Sequence, residues 1–184
     1  MIRERKAQVW VETVVYTLIG LTIIAIILAI SIPSIERYKD KLIIQQTLSM
    51  MDDLDGKITN VRDDGAGNRR LIPELMLKKG KLEIKGDSDQ INYIMERTRY
   101  QFSELGSTIQ QGNMNITTQQ IGRNKFYNIN ITLNYPNINI TYGGKDSNKT
   151  LTAASVAYRF TVENKGTTTD AGVTRVWIDI EELS

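Results

Sequence analysis

A single carboxylate, Glu12, stands where a basic leader meets an apolar helix. Arg5 and Lys6 precede it, and the twenty residues from Thr13 to Ile32 carry no charge. A carboxylate in an intramembrane segment is unfavourable and functional by default, because its charge needs a compensating partner. The alternative is that Glu12 lies near lipid headgroups and reaches water. Trp10 is typical of the aromatic residues at a membrane interface.

The uncharged run has the length of a membrane span. As a helix it would extend about 30 Å at about 1.5 Å per residue, the thickness of a bilayer's hydrocarbon core. Its apolar part is longer than the roughly 7–15 residues typical of a secretory signal. Ala29-Ile30-Ser31 nevertheless offers a signal-peptidase site. Both a plain signal anchor and a cleaved signal peptide therefore remain as alternatives.

The composition excludes the commonest kinds of catalytic site. The chain has no Cys and no His, so disulfides, thiolate nucleophiles, histidine bases and histidine-based metal sites are excluded. The net charge of +2 gives no indication of nucleic acid as a partner. Five aspartates do not have the spacing of an EF-hand loop, and we expect a solvated helix face and a turn: Asp52, Asp53, Asp55, Asp63 and Asp64. We expect no enzyme activity, no metal and no cofactor.

A single long helix over residues 8–62 must position Glu12. Residues 8–32 are apolar on all faces, and residues 33–62 are amphipathic. Pro33 removes a backbone donor and predicts a bend. In the second half one apolar stripe recurs mostly every three or four residues: Ile35, Tyr38, Leu42, Ile44, Leu48, Met51, Leu54, Ile58 and Val61. The glycine-rich segment after Arg62 predicts the end of the helix.

The remainder, residues 69–184, alternates with the period of β-strands. Strict alternation over 128–134 and 137–142 predicts strands with one buried face, and their similar sequences suggest a hairpin turning at Tyr135-Pro136. Further turns are expected at Gly86-Asp87, Gly112-Asn113, Gly143-Gly144 and Lys165-Gly166. The sequence thus predicts an α+β fold. The helix stripe packs on an antiparallel sheet or sandwich of seven or more strands.

The start of the chain resembles a known family. Lys6-Ala7-Gln8, followed by Glu12 and the apolar helix, is similar to the class III signal peptide of archaeal type IV pilins and archaellins. The resemblance implies cleavage after Ala7, which removes the basic leader 1–7. Glu12 would then be the fifth residue, where type IV pilins carry their characteristic Glu. One departure is Trp10, where many archaeal adhesion pilins have Ser.

The resemblance implies a structural subunit of an archaeal type IV pilus-like surface filament. The chain would be made as a prepilin in the cell membrane and polymerised through its apolar helix, with the β-rich head outside the cell. Implied partners are a prepilin peptidase, identical or related pilin subunits, membrane lipid before assembly, and the pilus assembly ATPase and platform proteins. Glu12 would pair with the amine of Gln8, its own or a neighbour's. An N-terminal Gln can also cyclise, which would remove that amine.

The sequence is also compatible with two other functions. A non-polymerising single-span surface receptor or binding protein would leave Glu12 and the Lys-Ala-Gln site as coincidences, and a secreted protein would be cut after Ser31. Four N-x-[ST] sequons are N-glycosylation candidates: Asn115, Asn130, Asn139 and Asn148. The alternative is that Asn and Thr, two residues apart, simply share the solvent face of a strand.

Overall fold

The chain forms two compact units, Met1–Lys39 and Asp40–Ser184. The computed structural model describes residues 2–123, 125–170 and 172–183, and side chains from residue 9 onward. In the described part of the chain one long helix precedes ten strands, which confirms the predicted α+β class with a sheet-based head.

The helix α1 comprises Ile2–Asp64 and contains Pro33. The bend expected at Pro33 stays a prediction. Gly65 ends the helix with a φ of +90°, a backbone conformation that L side chains rarely adopt. Asn68 closes the same turn, since its backbone N–H donates to the Gly65 carbonyl and its amide donates to the Asp64 carbonyl. The predicted glycine-rich end of the helix is therefore correct.

Ten strands follow the helix and form two sheets. The strands are β1 (Arg69–Leu75), β2 (Lys81–Lys85), β3 (Gln90–Thr98), β4 (Thr108–Gln111), β5 (Met114–Ile121), β6 (Phe126–Asn134), β7 (Ile138–Tyr142), β8 (Asn148–Thr152), β9 (Tyr158–Asp170) and β10 (Val173–Glu182). One sheet has the order β1-β9-β10-β7 and the other β4-β5-β6-β3-β2-β8. Every neighbouring pair is antiparallel except β7 with β10, which is parallel.

The core of the second unit joins α1 to both sheets in one cluster. The helix contributes a buried stripe: Ile44, Leu48, Met51, Leu54, Ile58 and Val61. The first three members of the predicted stripe, Ile35, Tyr38 and Leu42, are instead exposed. Helical periodicity identifies the face that these side chains share, but not how far the covering sheets reach along it.

Two sequence predictions about how strands are connected are wrong. The repeated strands are not hairpin arms, because β6 lies in the six-stranded sheet and β7 in the four-stranded one. Tyr135, which is buried, begins the connection between the two sheets. Lys165-Gly166 is not a turn either, since both residues lie inside β9. A register shift between β9 and β10 lies there, and Gly166, at φ +104°, provides the conformation that a bulge needs.

The buried carboxylate of Asp40 connects the helix to the six-stranded sheet. It accepts hydrogen bonds from Lys79 Nζ at 2.7 Å, Thr98 Oγ1 at 2.9 Å and the Arg99 backbone N–H at 2.7 Å. Three donors, one of them charged, compensate the desolvation of this carboxylate. Asp40 therefore fixes the helix and two segments of the head in one register.

Two more polar contacts hold the helix farther along. Tyr135 donates its hydroxyl to Asp55 at 2.8 Å, and Asn113 donates to the same carboxylate oxygen at 3.0 Å. Burial raises the pKa of the Tyr135 phenol far above its usual range, and the Asp55 charge adds to this effect, so the hydroxyl stays a donor. Asn164, buried on β9, donates its amide to the Val61 carbonyl at 3.1 Å.

Removing the Asp40 carboxylate should strongly destabilise the head. Asp40→Ala leaves the Thr98 hydroxyl and the Arg99 N–H without their acceptor, so we expect a loss of about 2–4 kcal/mol in the free energy of unfolding. The measurement is denaturant unfolding in detergent, followed by Trp177 fluorescence in a Trp10→Phe background. Asp53→Ala removes an exposed i,i+4 pair with Lys57 and should change stability by less than about 1 kcal/mol. Equal losses in the two variants would contradict this role of Asp40.

Candidate assembly segment and acceptor sites

The helix surface before the head is apolar and uncovered. Among the described residues, one helix is long and apolar enough to cross a membrane by length and composition, and its most apolar window is 0% buried. A signal sequence would pass the same test. Large apolar side chains are exposed all around it, including Trp10 at 70%, Tyr16 at 65% and Ile30 at 68%. Such a surface needs an apolar cover outside the described chain.

The three threonines within this segment donate their hydroxyls to its own backbone. Thr13 donates its hydroxyl to the Val9 carbonyl, and Thr17 does the same to the Thr13 carbonyl, both at 2.8 Å. Thr22 donates to the Leu18 carbonyl at 2.7 Å. Because each hydroxyl bonds a carbonyl four residues earlier, these threonines can enter an apolar environment without unpaired donors.

Glu12 is the charged exception in this segment. It lies on α1 as predicted and is exposed. Within residues 9–123, 125–170 and 172–183, its carboxylate has no hydrogen-bond or ion-pair partner. The predicted cleavage residues Lys6, Ala7 and Gln8 have side chains that lie outside the described part of the chain. Processing at Ala7 and the assembly role of Glu12 stay predictions.

The four sequons lie in very different surroundings. Asn139 on β7 is half-buried and bonds Asp146 and Arg175. Its sequon partner Thr141 is 2% exposed, donates to Asp179 at 2.6 Å and accepts from Trp177 Nε1 at 2.8 Å. Both polar side chains of this sequon therefore make hydrogen bonds within the head.

Asn130 and the two remaining sequons differ in exposure. Asn130 sits on β6, which has neighbouring strands on both sides, and its amide oxygen is buried without a hydrogen-bond partner among the described residues. Asn115 on β5 is exposed. Asn148 starts the edge strand β8, and it is exposed although its amide donates to Asp87 at 2.7 Å. Steric access therefore favours Asn115 and Asn148 as acceptors.

The sequence patterns did not identify Asp179, the side chain that organises the surroundings of the Asn139 sequon. Asp179 is 6% exposed and also accepts the Gly144 N–H at 2.7 Å, so it ties β10 to the turn after β7. The alternation in β10 marked its apolar face, but gave no signal that Asp179 would be buried. The aspartates considered for calcium are dispersed: Asp55 bonds Tyr135, Asp63 pairs with Arg62, and Asp64 pairs with Arg70. No group of three potential metal ligands occurs among the residues that the structure describes.

Comparison with known proteins finds no matching family model, no matching curated protein and no matching solved structure.

Glycan occupancy should follow side-chain access. We expect site-resolved mass spectrometry of the protein from its own cells to find glycan on Asn115 or Asn148, and none on Asn139, which is half-buried and whose sequon residue Thr141 is buried in the fold. The internal control is the Asn139 peptide from the same digest. A glycan on Asn139 with Asn115 and Asn148 unmodified would contradict the structural argument. Unmodified peptides over all four sites would contradict glycosylation itself.

Proposed function

We propose that this chain is a structural subunit of an archaeal type IV pilus-like surface filament. It would be held in the membrane as a precursor, cleaved after Ala7, and polymerised through its apolar helix. The observation that carries the proposal is the uncovered apolar surface of residues 9–32, combined with a carboxylate at its start. Lipid would cover this surface before assembly, and the helices of other subunits would cover it afterwards.

The charge distribution along the helix supports a partner at the N-terminus for Glu12. The first cationic side chain after Glu12 is Arg37, twenty-five residues later. That separation is about 38 Å along a helix, too far for an ion pair. Cleavage after Ala7 would remove Lys6 and create an α-amine on Gln8, four residues before Glu12. A carboxylate and an amine that both leave water are each unfavourable alone and favour pairing.

Such a pair would set the register between subunits. Apolar helices can slide past one another with little change in contact area, whereas an ion pair has a narrow distance optimum. A subunit displaced along its neighbour would leave both charges without a partner in an apolar surrounding. The proposed pair therefore specifies an axial position that apolar packing alone does not.

The proposal places the head outside the cell and the leader inside. In that arrangement a prepilin peptidase meets Ala7 at the inner membrane face, and an assembly ATPase with its platform proteins drives extraction of the helix. The head, with its own core and ten strands, would form the filament surface.

Neutralising Glu12 should strongly reduce assembly without affecting the fold of the head. We expect Glu12→Gln to lower the yield of sheared filaments at least about tenfold, because it removes a buried ion pair worth more than about 1.4 kcal/mol. The variant should still fractionate with membranes, and its Trp177 fluorescence should match that of the parent. Filaments are counted by electron microscopy after shearing.

Glu104→Gln is the matched control, since Glu104 is an exposed head residue whose side chain makes no hydrogen bond or ion pair within the described residues. This control should assemble like the parent. Parental filament yield in Glu12→Gln would contradict the assembly role. A protein that stays in membranes and never forms filaments, with or without Glu12, would favour the single-span surface receptor instead.

A further inference from the structure

The end of the head at which Asp40 lies carries an exposed apolar loop. Lys79 pairs with Asp40 at 2.7 Å, and the backbone next to Lys79 bonds the loop that follows β8. Ala153 donates to the Gly80 carbonyl at 3.1 Å, and Ala154 donates to the Leu77 carbonyl at 3.2 Å. Val156 in this loop is 76% exposed, more than the other large apolar side chains among the described head residues.

Two basic segments lie at the same end. Thr98, which bonds Asp40, pairs with Tyr127 across β3 and β6, next to the turn between β5 and β6. That turn carries Arg123 and Lys125, both exposed. Arg97 precedes Thr98, and its guanidinium lies 5.6 Å from the centre of the Phe126 ring.

We define the Asp40 rim as Lys41, Lys78, Arg97, Arg123, Lys125 and Val156, all exposed. Five of these six side chains are cationic. Two exposed acidic side chains lie near strand ends, Glu74 on β1 and Glu96 on β3, and the five cations of the rim outnumber them.

We propose that the Asp40 rim docks on the anionic headgroup surface of the membrane that holds the apolar helix. The inference rests on the membrane-held stage of the proposed function. Ile32, the last residue of the uncharged run, is eight residues before Asp40. Even a fully extended chain of that length reaches only about 28 Å, so Asp40 would stay within that distance of the end of the membrane-held run.

The chemistry of the rim matches a lipid surface better than another class of partner. Clustered cations attract anionic headgroups, and the attraction decays within about 10 Å at 0.1 M salt. Val156, on the exposed loop after β8, can enter the boundary between headgroups and acyl chains. The docked state would hold the head against the membrane until filament assembly removes the subunit.

Fluorescent probes at single cysteines can measure this docking, because the chain has no Cys of its own. The full chain is reconstituted into vesicles of phosphatidylglycerol and phosphatidylcholine that contain a headgroup-level spin-labelled quencher lipid. Val156→Cys carries the probe at the rim. Val173→Cys is the matched control, an exposed valine at the tip of the β9–β10 hairpin. Ile26→Cys, labelled in the same way and read with a quencher deep in the acyl chains, reports insertion of the apolar helix.

We expect quenching at Val156→Cys and at Ile26→Cys, and none at Val173→Cys. Quenching at Val156→Cys should fall in pure phosphatidylcholine or at high salt. Arg97→Glu and Arg123→Glu should each lower the docked-to-undocked ratio about fivefold or more. Lys145→Glu, an exposed charge in the turn after β7, should leave the ratio unchanged. Parental Trp177 fluorescence verifies that each variant is folded.

Several results would overturn the proposal. Quenching at Ile26→Cys without quenching at Val156→Cys would refute docking and leave membrane anchoring intact. No quenching at Ile26→Cys would refute anchoring, and docking with it. Equal quenching of Val156→Cys in neutral vesicles would refute recognition of anionic headgroups. Disulfide-linked dimers of V156C without lipid quenching would assign the rim to a second copy of this chain.

Discussion

The need to cover an apolar helix surface is the constraint on which the rest of this structure depends. Burying one large aliphatic or aromatic side chain contributes about 1.5–3 kcal/mol, and the part of the chain from Val9 to Ile32 leaves many such side chains uncovered. In the second unit the same helix, α1, covers its stripe from Ile44 to Val61 against two sheets. One half of this helix thus has an apolar stripe that its own chain covers, and the other half has an apolar surface that needs lipid or other subunits to cover it.

The buried polar contacts of the head give the covered half of the helix a defined position. Asp40, Asp55 and the Val61 carbonyl each accept a hydrogen bond from a strand or a loop of the head. Apolar packing alone tolerates small shifts, whereas an unpaired buried carboxylate does not. In a filament held together by helices, this rigidity would determine where each head lies. The same Asp40 contacts also hold the segments that carry the Asp40 rim, so one buried carboxylate contributes both to the fold and to the proposed lipid contact.

Much of the architecture could be predicted from periodicity, because the helical character of α1, its end at Gly65 and the strand character of the head follow from local patterns. Strand pairing could not be predicted, since the similar sequences of β6 and β7 carry no information about which sheet each joins. The bulge at Gly166 looked like a turn because glycine serves both. Asp40 and Asp179 were missed because a charged residue on a surface pattern gives no sign that tertiary donors will surround it. The processing residues Lys6, Ala7 and Gln8, and the role of Glu12, come from the sequence alone and stay predictions.

The mass of the N-terminal peptide of the protein from its own cells tests the central claim most directly. Mass spectrometry is preferable to chemical sequencing, because a cyclised Gln8 would block the latter. The account predicts a terminus at Gln8, free or cyclised, with residues 1–7 absent. A terminus at Met1 would contradict it and leave a non-polymerising anchor. A terminus at Ile32 would contradict it as well, because the released protein would lack the apolar helix through which subunits are proposed to assemble.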